Sequence, residues 1–299
     1  MEILQDAQGF IEKYKRITNK INTRNQMKNI LFIHGSPRRG ETFKVVQLFI
    51  DELKNFFEFK EEHIFLVDEK LEYCRGCLSC IQFGEEKCPI EDNLAKIYNQ
   101  MLNADAIVFT SPVHALQVSG LFKNFVDRIA FVFHRPCFFG KLSISIVTQG
   151  ILGYKGVLKY MDSIADFWGF NTVKGIAVTT PPGFRTEKEK ALIDEEIKKG
   201  ALRFFEAINL NKPKKVRLSS LIQFRFTRSM ISTRSMIDDY FVQMMPKKIM
   251  YYKEKGWMTS DFYYDVKLSV FQKIIGKYFD HLGKKYAEKK LKERLKEER

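Results

Sequence analysis

Asn29-Ile-Leu-Phe-Ile-His-Gly-Ser-Pro-Arg-Arg-Gly-Glu-Thr42 is the stretch on which the fold turns. Its first half is an uninterrupted apolar run ending at Gly35. Such a run suits a strand buried on both faces of a parallel sheet. Its second half is a loop of small and basic residues. From about Thr42 a helix is expected, with Val45, Phe49, Leu53 and Phe56 on one face. A strand, a small-residue loop and a helix in that order make an anion site. The backbone N–H groups, the Ser36 and Thr42 hydroxyls and the helix N-terminus can all face a phosphate, and Arg38 and Arg39 add positive charge. The loop lacks the Gly-Lys-Ser/Thr ending of a Walker A motif and is not a GxGxxG fingerprint.

The alternation continues downstream. Strands are expected at His63–Val67, Ala106–Thr110, Leu142–Val147 and Val173–Val178. Helices are expected from about Asp92, over Val118–Phe133, over Val157–Trp168 and from Thr186 to about Ile208, where Thr186 and Glu189 have capping-box spacing. Five β-α units predict an α/β fold, a doubly wound parallel sheet with helices on both faces. Ligands in such sheets bind beyond the carboxyl ends of the strands, near the topological switch point.

Three motifs in this order carry a resemblance: Gly35-Ser-Pro-Arg38 through Thr42, Ser111-Pro-Val-His114, and Gly120-Leu-Phe-Lys-Asn-Phe-Val-Asp-Arg128. They resemble the NADPH-dependent FMN reductase and iron–sulfur flavoprotein group over roughly Lys28 to Thr180. The resemblance implies a flavodoxin-like fold and bound FMN. It implies that Ser36, Arg38 and Thr42 hold the phosphate. Pro112, Val113 and His114 would line the isoalloxazine ring, and Thr148, Gln149 and Gly150 its pyrimidine edge. It implies an FMN-dependent oxidoreductase, with NAD(P)H as electron donor. His114 would be either a catalytic proton donor beside the flavin or a hydrogen-bonded histidine without that role, and backbone N–H groups and Thr148 would stabilise negative charge on the flavin. Two positions depart from the family pattern. Glu41 puts a carboxylate beside the phosphate loop, and His114 stands where an aromatic such as Tyr is common. His34 is read as structural.

Cys74-x2-Cys77-x2-Cys80-x7-Cys88, followed by Pro89, is the sharpest chemical signal. Compact runs of thiolates hold iron–sulfur clusters, and an all-thiolate zinc site is the alternative. Free redox-active thiols are a third reading. The spacing also resembles the four-iron, four-sulfur motif of the iron–sulfur flavoproteins. Cys137, away from the run, is read as a small buried apolar residue. Other function classes stay open: a flavodoxin-type electron carrier without substrate turnover, docking an acidic ferredoxin-like partner, and a cysteine-based redox or metal sensor.

The chain has 299 residues and a formal charge of +14, carried unevenly. Pro213 to Arg299 holds 21 Lys+Arg against 10 Asp+Glu, a net +11. Three regions are therefore expected: a helical N-terminal extension (1–27), the FMN-binding domain (28–212) and a basic, mostly helical C-terminal extension (213–299). In the last, a helix over Leu221–Met245 and a final helix fraying beyond Gly283 are expected. Trp257 and the nearby tyrosines would anchor it on an anionic membrane surface or, the favoured reading, pack against a partner subunit. The resemblance implies a homo-oligomer. No nucleic-acid-reading motif accompanies the basic residues. No secretory signal or spanning segment is visible, so a cytoplasmic location is expected.

Overall fold

A computed structural model describes residues 27–210 and 216–298. The expected N-terminal helix falls on residues 1–26 and lies outside the described residues. The described chain divides into two compact units. The first runs to Cys74, resumes at Glu91–Ile129, and resumes again from Pro136 through Leu210. The second takes in Arg75–Ile90 and Ala130–Arg135 together with the C-terminal helices.

In the first unit, β1 (Lys28–His34), β2 (Phe59–Phe65), β3 (Ala106–Pro112), β4 (Leu142–Gln149) and β5 (Asn171–Thr179) form one sheet. All four pairings are parallel, and the order is β2-β1-β3-β4-β5. α1 (Glu41–Lys54), α3 (Leu94–Asn103), α4 (Gly120–Arg128), α6 (Tyr154–Trp168) and α7 (Glu187–Leu210) cover its faces. The short α2 (Ser79–Gln82) and α5 (Phe131–His134) belong to the second unit. The fold is the α/β, flavodoxin-like one expected.

Side-chain alternation builds two cores from each central strand. Ile30 and Phe32 join Phe49 of α1 and Phe204 of α7 in one layer. On β3, Phe109 meets Phe122, Trp168 and Phe170 edge-on. Buried aromatic side chains of this size each contribute about 2–3 kcal/mol of transfer energy. Two boundaries differ from expectation. β2 begins four residues early, because it is an edge strand whose Lys60, Glu61 and His63 leave no apolar run to read. The helix expected over Val118–Phe133 is broken after Arg128, and a separate turn begins at Phe131.

The second unit is helical: α8 (Leu218–Ile237), α9 (Asp239–Met244), α10 (Pro246–Glu254) and α11 (Val270–Glu297). α11 continues well beyond Gly283 instead of fraying there. The reason is packing. A side chain at Gly283 would stand 2.5 Å from the Phe226 carbonyl oxygen and 3.1 Å from the Met230 nitrogen, so glycine lets α11 lie directly against α8. Arg225, buried in α8, reaches both Asp261 and Asp280. Asp238 is fully buried and pairs with Arg234 at 2.7 Å and Arg294 at 3.1 Å. Of the aromatics expected at a membrane or partner interface, Trp257 and Tyr252 are buried within this unit. Trp257 is 3% exposed, its Nε1 donates to the Tyr263 carbonyl at 2.9 Å, and the Phe224 ring lies 4.4 Å from that of Tyr263, tilted by 57°. Among the described residues, no helix is long and apolar enough to cross a membrane.

Candidate functional site: the carboxyl edge of the sheet

The sheet order places the topological switch between β1 and β3, and the loops leaving these two strands carry the residues singled out by sequence. Gly35 is required there. A Cβ on it would stand 2.8 Å from both the Phe122 Cβ and the Thr110 carbonyl oxygen. The Gly35 N–H donates to that oxygen at 2.9 Å. Ser119 locks the same point from the other strand. Its hydroxyl donates to the Gly35 carbonyl and caps α4 by accepting from the Phe122 N–H.

The loop then curls on itself. The Ser36 hydroxyl donates to the Arg38 carbonyl at 2.6 Å and accepts from the Arg38 N–H at 3.3 Å, so it shapes the loop from within. α1 starts at Gly40 without a side-chain cap. Its first N–H groups therefore stay free of intrahelical partners, as at any helix start. Arg38 lies over this start, its Nε 3.4 Å from where a Cβ on Gly40 would be. Among the described residues no carboxylate pairs with it. Arg39 goes elsewhere. Its guanidinium sits 4.3 Å over the Phe65 ring and 3.4 Å from Asp68, toward the β2 edge.

Glu41 is neutralised in place. It pairs with Arg185 and with Lys44 at 2.9 Å. Burial raises its pKa, but the hydrogen bonds from Arg185 and Lys44 outweigh it and hold the carboxyl below its ordinary value. The loop's one acidic residue is thus tied up in ion pairs.

Thr42 and Thr148 come together. Both are buried, and their hydroxyl oxygens are 2.7 Å apart. Thr148 therefore stands behind the helix start, where it can orient Thr42. That placement ties it to the loop after β1. Gln149 is also committed: its amide donates to the Ile151 carbonyl and to Thr179, and its oxygen accepts from the Tyr154 N–H. Gly150 is exposed and faces open space.

After β3, the Val113 N–H donates to the Thr148 carbonyl at 2.8 Å, continuing the ladder beyond Pro112. His114 and Gln117 exchange two backbone hydrogen bonds across a turn with positive φ at Ala115 and Leu116. His114 is exposed on that turn. Leu116, Ile151, Leu152 and Phe184, all in loops beyond the strands' carboxyl ends, are at least 60% exposed. An anion cradle beside an exposed apolar rim fits a ligand with a phosphate at one end and a flat apolar ring at the other.

His34, at the end of β1, is structural as expected. Its Nε2 is 2.9 Å from His63 Nδ1, and its ring stacks on Phe65 at 4.3 Å. Burial, then the neighbouring His63 and Arg39, push its pKa down to about 3, so it is neutral.

The cysteines fall across the two units: Cys74 ends a segment of the first, while Cys77, Cys80 and Cys88 lie in the second. None is in a disulfide. Cys74 and Cys77 are exposed, Cys80 and Cys88 half-buried. Hydrogen bonds from the Ser79 hydroxyl and N–H lower the Cys77 thiol pKa, favouring a thiolate. As a donor set the four thiols suit a soft metal or an iron–sulfur cluster. Among the described residues no group of three His, Cys, Asp or Glu side chains is gathered closely enough to hold a metal ion. Cys137, half-buried, has the Tyr98 hydroxyl 3.3 Å from its sulfur.

One arrangement was not anticipated. In the first unit, Arg128 grips Asp92 through both terminal nitrogens and donates to the Glu72 carbonyl at 2.8 Å. Asn124 donates to the Leu71 and Glu72 carbonyls. The α4 motif thus ties together the chain entering the cysteine segment and the chain leaving it. The only sequence cue was Asn124 and Arg128 on the face of a helix that otherwise reads as apolar.

Comparison with known proteins agrees with this geometry. Residues 28–184 match the NADPH-dependent FMN reductase family. An iron-sulfur flavoprotein of Archaeoglobus fulgidus is 34% identical over 148 residues, 49% of this chain and 66% of the relative. One of Clostridioides difficile is 28% identical over 199 residues, covering 65% and 85%. One of Methanocaldococcus jannaschii is 36% identical over 100 residues, covering 33% and 50%. With the matched segment spanning the whole sheet, the chain belongs to the NADPH-dependent FMN reductase family.

Proposed function

We propose that this chain binds FMN at the carboxyl edge of its sheet and moves electrons from NAD(P)H to an acceptor. The observation that carries the reading is the uncapped start of α1, with Arg38 over Gly40 and the Thr42–Thr148 pair beneath. Unpaired N–H groups, one cation free of carboxylates and an oriented hydroxyl are what a phosphate monoester needs. FMN, when bound, supplies the hydride and electron chemistry. The chain's own residues do the rest. Gly35 and Ser119 fix the loop. Thr148 orients the Thr42 hydroxyl, and Arg185 keeps Glu41 from repelling the phosphate. Leu116, Ile151 and Leu152 offer an apolar surface to the ring. His114, exposed on its turn, holds an exchangeable proton there.

The relatives' names and the four-thiol donor set support an iron–sulfur cluster at Cys74, Cys77, Cys80 and Cys88, with zinc as the competing occupant. Anaerobic purification followed by FMN, iron, sulfide and zinc quantitation and a NAD(P)H oxidation assay tests both parts. FMN-loaded protein that oxidises NAD(P)H steadily supports the oxidoreductase reading. FMN-loaded protein with no turnover would reduce it to an electron carrier. Iron and sulfide in about equal amounts support the cluster, and zinc alone would overturn it.

A further inference from the structure

The C-terminal helices lie outside the family match, and nothing in the flavin site calls for them. The second unit shows what they hold. It joins α8–α11 to Arg75–Ile90, the segment that carries Cys77, Cys80 and Cys88.

That segment has little regular structure of its own. It contains one four-residue helix, one three-residue turn of 3-10 helix, and positive φ at Gly76, Leu78 and Gly84. Leu78 in the left-handed region is unfavourable for a side-chain-bearing residue, so the segment must be held from outside. Arg135 is the main hold. It is 4% exposed. Its Nη1 donates to the Ile81 carbonyl at 2.9 Å, and its Nη2 donates to the Cys80 carbonyl at 2.7 Å and to Glu85 at 2.9 Å. Three bonds from one planar guanidinium fix both the α2 backbone and the 3-10 turn beyond it.

α10 supplies the second hold. It packs on α2. Lys247, in its first turn, pairs with Glu86 at 3.4 Å. The next residue, Lys248, lies 3.4 Å from His134 Nδ1, beside Arg135 in sequence. Burial lowers the pKa of His134 to about 4, so its neutral ring can accept from Lys248. The carboxylates of the cysteine segment thus meet cations of the basic extension and of the turn that carries Arg135.

We propose that the C-terminal extension is the support of the cysteine segment, with Arg135 and Lys247 as positioning residues that set how Cys80 and Cys88 are presented. One cation of the extension, Lys247, then has an internal purpose, to seat the segment through Glu86, while Arg135 takes Glu85. The inference concerns the thiols' presentation and does not depend on which group they bind or on FMN.

The test uses the full chain and measures iodoacetamide labelling rates of each cysteine by mass spectrometry, with Cys137 as internal reference. Arg135→Gln should raise the labelling rates of Cys80 and Cys88 about tenfold or more while Cys137 stays unchanged. Glu86→Lys alters only a partly exposed pair, so it leaves folding intact. It should raise the same two rates about threefold. Adding Lys247→Glu to it should restore them. That rescue separates a specific hold from general loosening. Unchanged Cys80 and Cys88 rates in Glu86→Lys, or no rescue by the second substitution, would overturn the proposal. So would an Arg135→Gln protein in which all the cysteines, Cys137 included, become reactive together.

Discussion

At the residue scale the phosphate loop divides its labour in a way the motif alone does not show. Ser36 shapes the loop, Arg39 leaves it for Phe65 and Asp68, and Arg38 has no carboxylate partner among the described residues. Arg38→Ala should therefore weaken FMN binding about tenfold, and Arg39→Ala should change it little, as read by fluorescence titration. The His34–His63 pair makes a second prediction. The folded-state pKa of His34 is about 3, below its unfolded value near 6.5, so the unfolded chain binds more protons between those limits. Stability is then fully present above about pH 6.5 and falls as the pH drops toward 3. The groups facing the pair are Arg39, Glu61 and Lys54. Denaturant unfolding should show about 2 kcal/mol less stability at pH 5 than at pH 7 from this site. His34→Phe should remove most of that slope.

At the element scale, the central strands were legible because burial on both faces makes them continuous apolar runs. The first four residues of β2 were not, since an edge strand exposes half its residues and reads as mixed polar sequence. The break after Arg128 is not legible in the sequence because apolar residues, Ile129, Phe131 and Phe133, continue across it. The continuation of α11 beyond Gly283 was hidden for a different reason: glycine lowers helix propensity, and only the nearness of α8 shows why it is there. Gly283→Val should force α11 off α8 and cost about 2–3 kcal/mol, seen as a lower midpoint for the transition of the helical unit. The Arg128–Asp92 pair belongs to this scale too, since it joins α4 to both ends of the cysteine segment. Arg128→Ala leaves Asp92 buried without its cation and should cost about 3–5 kcal/mol in thermal or denaturant unfolding.

At the scale of the whole molecule, the charges of the helical unit sort into paired and exposed groups. Asp238, Asp261 and Asp280 are taken up by arginines within the helical unit, while Lys273, Lys277, Lys284 and Lys285 of α11 stay exposed. Three of the stretches singled out in the sequence share one edge of the fold. The loop after β1, the turn after β3 and the end of β4 all lie at the sheet's carboxyl edge. What it could not show were pairings across long separations, such as Arg185 with Glu41 or Thr42 with Thr148, which only the closed sheet creates. The central claim is that this edge holds FMN through the start of α1. Titrating the full chain with FMN, with Arg38→Ala alongside, tests it most directly. The account predicts saturation at one FMN per chain and a clearly weaker variant. A chain that takes up no FMN, or an Arg38→Ala variant that binds it as tightly as the natural chain, would contradict it.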